Sequence, residues 1–69
     1  MSPSQKRKAG ARIKKVRKAK AMSQVDLANR AKLPRGYVTR LGAGRQDPSL
    51  STINALAHAL GVPLTELLE

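Results

Sequence analysis

Apolar residues recur at helical spacing along most of the chain, and no segment alternates at period two over the length of a strand. Ile13 and Val16 lie one turn apart, with Ala9 extending their stripe and Lys14, Lys15 and Lys18 covering the other face. This predicts a first helix over about 9–20, with Met22 plugging the core from the turn that follows. Ser23 is a good N-cap for a second helix, 24–31, with Asp26 at its third position and Leu27, Ala28 and Ala31 on its apolar face. Lys32-Leu33-Pro34 then forms a three-residue connection to a third helix, 35–41, with Val38 and Leu41 inward and Arg35, Gly36, Thr39 and Arg40 outward. Ser49 caps a fourth helix, 50–60, lined by Leu50, Ile53, Leu56, Ala57 and Leu60 and ended by Gly61. Pro63 introduces a short fifth helix, 64–68, whose Leu64, Leu67 and Leu68 close the core. The expected fold is all-α: a compact five-helix bundle over 9–69, preceded by a polar, basic arm at 1–8. Ser2, Pro3 and Gln5 could instead cap a helix from within that arm. Gly10, inside the first helix, costs about 1 kcal/mol relative to alanine.

Charge changes the picture. The 69 residues carry a net charge of +10, and residues 6–20 hold nine Lys or Arg with no acid. A field of one sign on so small a body repels itself, and a polyanionic partner relieves it. With about 60% of its unfolded surface buried, a domain of this size has only a small core. Tyr37 is the single aromatic residue, which weighs against base-stacking readers of single strands. Duplex phosphates need no aromatic partner. Cysteine is absent and His58 is the single histidine, so neither a disulfide nor a metal site is expected. No apolar run approaches the roughly 20 residues that span a bilayer, and no apolar stretch of a secretory signal follows the basic start. The default location is the cytoplasm or nucleoid. Ser23, Ser49 and Thr52 read as caps or core-edge residues rather than nucleophiles, and no cofactor motif is present, so an enzyme is not expected.

Two short helices joined by a three-residue turn, the second with an exposed polar face, read as a helix-turn-helix. In that motif the second helix enters the major groove and presents short or basic side chains to base edges. Gly36 permits close approach, Thr39 can meet a thymine methyl or a base acceptor, and Arg40 can fork onto guanine.

From Ala9 to Leu68 the chain resembles the Cro/repressor-type (XRE-like) helix-turn-helix family. The carriers are Arg12-Ile13 and Val16-Arg17, "MSQVDLA", "YVTRL" followed by Gly44, "PSLSTINALAHALGV" and the closing "LTELL". The resemblance implies that Arg35, Gly36, Thr39 and Arg40 read bases and that Gln24 touches phosphate and braces the recognition helix. It further implies that Arg45 and Gln46, with the start of the fourth helix at Ser49 and Leu50, grip the backbone again. Ser23 and the Tyr37 hydroxyl are further phosphate candidates, although Tyr37 reads first as a packing residue at the core edge. Lys6, Arg7 and Lys8 are expected to wrap the duplex or lie in a groove. Three positions depart from the pattern. Gly42 stands where the family commonly has a glutamate that pairs with an arginine at the Arg17 position, so Arg17 needs another acceptor, such as a carbonyl at the end of the third helix. Ala21 and Lys32 stand where the family often has glycine, and a positive φ at either would be strained.

These readings imply a sequence-specific, double-stranded-DNA-binding transcriptional regulator of repressor type. It would bind as a dimer on a pseudo-palindrome, with half-sites about one helical turn (roughly 34 Å) apart. Weak self-association through Val62, Leu64 and Leu68 would support it. The alternative is a bridging-factor-like adaptor, or an RNA- or ribosome-associated protein, without base readout. An antitoxin or immunity role would differ from the first reading by partner rather than by chemistry.

Overall fold

The computed structural model describes residues 5–68, with side chains from Lys8 onward. Among these residues the chain forms α1 (Gln5–Ala19), α2 (Gln24–Ala31), α3 (Arg35–Gly42), α4 (Leu50–Leu60) and α5 (Thr65–Leu68), with no strand. None of these helices is long and apolar enough to cross a membrane. α2 and α4 keep the boundaries expected from the sequence. α1 starts well before residue 9, so the arm boundary at residue 8 moves into the helix. Nothing in Gln5-Lys6-Arg7-Lys8 breaks a helix, because long straight side chains lose little freedom there. The cap read at Ser2 and Pro3 lies outside the described residues.

The core is built from Ala9 and Ile13 of α1, Leu27 and Ala28 of α2, Val38 and Leu41 of α3, Ile53, Leu56, Ala57 and Leu60 of α4, and Leu67 of α5. α1 packs on α5, α3 and α4, while α2 packs on α3 and α4. Leu50 departs from expectation. It is 59% exposed, because it occupies the first position of α4, ahead of the turns that the other helices cover. Pro48, in the preceding loop, is fully buried instead.

Gly10 has a steric task that its helix-propensity cost does not convey. A Cβ built on it would lie 2.5 Å from the backbone carbonyl oxygen of Leu41, so α1 and α3 cross in direct backbone contact at this point. Only glycine fits without moving one helix.

Four helices end in the same turn. In each, an N–H bonds back across five residues and the N–H before it bonds back across three, around a residue of positive φ. The residues at positive φ are Ala21 (55°), Lys32 (59°), Gly44 (75°) and Gly61 (72°). The longer-span bonds are Met22 N to Arg17 O (3.0 Å), Leu33 N to Ala28 O (2.8 Å), Arg45 N to Arg40 O (2.9 Å) and Val62 N to Ala57 O (3.0 Å). Ala21 and Lys32 therefore adopt the left-handed region without being glycine. Each carries roughly 1–2 kcal/mol of backbone strain.

Arg17 is buried, 9% exposed, and its Nη1 donates to the carbonyl oxygen of Met22 at 2.6 Å. The acceptor thus sits in the α1–α2 turn, not at the end of α3. The arginine closes the turn that Ala21 strains. A Cβ at Gly42 would meet Lys14 Cδ at 3.7 Å, an ordinary contact.

Candidate nucleic-acid interface

The interface is organised around α3. Its inner positions, Val38 and Leu41, are buried, and its outer positions, Arg35, Gly36, Thr39 and Arg40, are exposed. Pro34 starts the helix with extended backbone (φ −62°, ψ 143°) and no side-chain cap, so the N–H groups of its first turn are left without one.

α2 is fixed beside α3 by its own N-terminus. The Ser23 Oγ accepts the Asp26 N–H at 2.9 Å, and the Asp26 carboxylate accepts the Ser23 N–H at 3.1 Å. This reciprocal cap holds the Asp26 carboxyl below its usual 3.8, chiefly through the Ser23 backbone N–H and then the Ser23 side chain. It also occupies the Ser23 hydroxyl. With α2 placed, the half-buried Gln24 accepts a hydrogen bond from Thr39 Oγ1 at 2.8 Å. The 3.4 Å approach of Thr39 Oγ1 to the Arg35 carbonyl is the weaker choice for its single proton. The contact leaves the Gln24 amide N–H groups to donate elsewhere and fixes the Thr39 hydroxyl.

Arg40 is held from the other side of α3. Its Nε donates to Gln46 Oε1 at 3.0 Å. Its Nη1 lies over Gly36, where a Cβ would stand only 3.2 Å away. The guanidinium therefore lies along the outer face of the helix, clamped at Nε and with Nη1 over Gly36. That geometry suits a two-pronged donor to guanine O6 and N7. Gln46, expected at a phosphate, has its side-chain oxygen committed to Arg40.

The turn after α3 decides where Arg45 goes. In the other three turns the residue after the left-handed position is Met22, Leu33 or Val62, each half-buried against the core. At the end of α3 that residue is Arg45, which is exposed. Gly44 makes the turn without strain, and the chain then delivers a cation beside the recognition face.

The remaining candidates are placed less centrally. Tyr37 is half-buried against the core edge. Ser49 Oγ accepts the Thr52 N–H at 3.1 Å and contacts the Ser51 and Thr52 hydroxyls at 3.1 and 2.9 Å, so it is occupied by its own cap. Lys6 and Arg7 have no described side chains. Lys8 lines an open depression with Ala11, Arg12 and Lys15. It lies about 120° around α1 from Lys14, the residue that reaches the end of α3. The structure therefore does not gather Lys8 with the α3 face. Sequence reasoning missed the Arg40–Gln46 clamp. Its only trace is a Gln six residues after an Arg, across two glycines.

Comparison with known proteins places this geometry in a family. A family model described as helix-turn-helix matches residues 13–67. The chain is 43% identical over 58 residues to the immunity repressor protein of Bacillus phage phi105, a match covering 84% of this chain and 40% of the repressor. The chain thus spans less than half of that relative's length. Among solved structures it is similar to the restriction-modification controller protein C.AhdI from Aeromonas hydrophila, with 40% identity, a TM-score of 0.83, and coverage of 87% of this chain and 91% of that one. It is also similar to the clp gene regulator ClgR from C. glutamicum, with 27% identity, a TM-score of 0.88, and coverage of 97% and 87%.

Proposed function

The chain belongs to the helix-turn-helix family, and from that premise we propose that it is a sequence-specific, double-stranded-DNA-binding transcriptional regulator of repressor type. α3 enters the major groove. Arg40 forks onto guanine, the Thr39 methyl meets a thymine methyl, Arg35 reaches a neighbouring base or phosphate, and Gly36 keeps the backbone close. The Gln24 amide and Arg45 grip phosphates on either side, with the Tyr37 hydroxyl and the α4 N-terminus as outer contacts. The observation that carries this reading is the double bracing of the exposed α3 face: Thr39 by Gln24 at 2.8 Å and Arg40 by Gln46 at 3.0 Å. Side chains fixed before binding lose less freedom on binding, which favours base discrimination over mere adhesion.

The protein acts in the cytoplasm, on nucleoid DNA, as a dimer on a pseudo-palindrome. Self-association runs through Val62, Leu64 and Leu68, of which Val62 and Leu64 border α5 and all three are half-buried. Residues 9–69 act as one binding domain. The assigned role is binding and includes no catalytic step. Random-site selection with the purified chain tests the reading. Recovery of a palindromic site supports it, whereas binding that is salt-sensitive and indifferent to sequence overturns it in favour of the adaptor alternative.

A further inference from the structure

α1 carries two different surfaces. Its inner stripe, Ala9, Gly10 and Ile13, packs on the core, with Gly10 against the Leu41 carbonyl on the inner side of α3. Its outer face holds Lys8, Arg12 and Lys15, all exposed. Lys15 is two residues from Ile13, so it lies about 200° around the helix, directed away from the core. Lys8, Arg12 and Lys15 lie about 100–160° around α1 from Lys14, whose Cδ meets Gly42 at the end of α3, so the row is turned away from that contact. The domain is 20 Å across in its shortest dimension. A duplex seated on α3 leaves this second face uncovered.

Lys8, Arg12 and Lys15 follow one another at four and three residues and therefore form a row about 10 Å long. They line a single open depression of about 390 Å³ with Ala11. A neighbouring depression of about 230 Å³ adds Val16, Ala19 and Glu66 to Arg12 and Lys15. The cations on this row repel one another and gain from a shared anion. The partner's class follows from what the row lacks. It holds no aromatic ring on which a single-stranded base could stack, since Tyr37 lies on α3. The exposed residues around it are Ala11, Lys18, Ala19 and, at one edge, Glu66 of α5, whose single carboxylate the three cations outnumber; the nearest apolar side chain, Val16, is half-buried, so none stands out to enter a membrane. A row of cations without ring or wedge suits the phosphate backbone of a duplex.

We propose that the outer face of α1, through Lys8, Arg12 and Lys15, binds a second DNA duplex without regard to sequence, so that one molecule joins two DNA segments. The α1 face works in this way whether or not α3 prefers a sequence, so failure of site selection leaves it standing.

The test is a capture assay with the full chain. One short random-sequence duplex is fixed to beads, and a second, labelled duplex of the same kind is in solution. The wild type is expected to retain the labelled duplex. The triple substitution K8Q/R12Q/K15Q is expected to lose that retention while still occupying the bead-bound duplex and melting as the wild type does. The slope of log capture against log salt should flatten by about 2.7, for three phosphate contacts at about 0.9 each. A control that removes three cations elsewhere, K20Q/R30Q/K32Q, should keep the retention, as should the charge-preserving K8R/R12K/K15R. A wild type that retains no labelled duplex overturns the proposal. So does K8Q/R12Q/K15Q retaining as much as wild type, which would place both duplexes on the α3 faces of a dimer, and so does an equal loss in the control. Amine acylation of the wild type reads the same face with no substitution: Lys8 and Lys15 should be protected once the second duplex is bound, and full labelling there contradicts the proposal.

Discussion

α2 and α3 are both eight residues long and end in the same hydrogen-bonded turn, yet they send the chain in opposite directions. After α2 the left-handed position is Lys32, and the next residue, Leu33, returns to the core. After α3 it is Gly44, and the next residue, Arg45, goes out to solvent. The turn geometry is shared; the residue after it sets the outcome. Where an apolar anchor follows, burial of that side chain offsets the strain of a non-glycine left-handed residue. Where a cation follows, no such anchor exists, and glycine makes the turn without strain. At the end of α4 glycine serves where an apolar anchor follows, Gly61 before Val62, so the residue after the turn alone separates the α3 turn from the other three.

The largest expected effect tests the frame on which both turns stand. Gly10→Ala should destabilise the fold by about 1–3 kcal/mol, because the new methyl meets a backbone carbonyl that can withdraw only with its helix. Gly42→Ala, in ordinary contact with Lys14, should instead be neutral or stabilising by up to about 1 kcal/mol. Thermal melts of the two variants decide this, and equal effects would show that the α1–α3 crossing is not tight. Next comes the comparison itself. Gly44→Ala should cost about 1–2 kcal/mol, whereas Lys32→Gly should stabilise by a comparable or smaller amount, since the entropy of glycine offsets part of the strain relieved. Denaturant midpoints of both variants test it, and a destabilising Lys32→Gly would mean that the left-handed lysine is held by something other than Leu33. The smallest effect is the pH dependence of the Asp26 cap. Its carboxyl is lowered from 3.8 by the Ser23 backbone N–H and hydroxyl, so its stabilisation is complete above 3.8 and is lost as pH falls through the lower folded value. The melting temperature of the wild type should drop more steeply over that acidic window than that of Asp26→Asn. Parallel curves would remove the cap from the account.

The helices and most of the core were legible in the sequence because they rest on local rules: apolar period, caps at Ser23 and Ser49, and punctuation by Pro34, Gly44 and Gly61. The strained φ at Ala21 and Lys32 was foreshadowed by the family resemblance, in which glycine often stands at both positions. What was not legible depends on distant partners. Leu50 fits the periodicity of α4 but has no neighbour at that end. Gly10 looks like a flaw in a helix until Leu41 is brought against it. The acceptor for Arg17 was sought at α3 and found in its own turn, at Met22. At the interface, the outward set Arg35, Gly36, Thr39 and Arg40 followed from helix period, and the bracing by Gln24 followed from family resemblance. The clamp of Arg40 by Gln46 joins a helix to a loop and has no periodic trace.

The central claim is that Arg40 reads sequence while Arg45 holds backbone. The direct measurement is the affinity of Arg40→Gln and Arg45→Gln for the selected site and for a random duplex, over a range of salt. Arg40→Gln should lose about 1–3 kcal/mol of preference for the selected site and largely keep its random-duplex binding. Arg45→Gln should weaken both equally and lower the salt slope by about 0.9. An Arg40→Gln protein that keeps the full preference of the wild type would contradict the account.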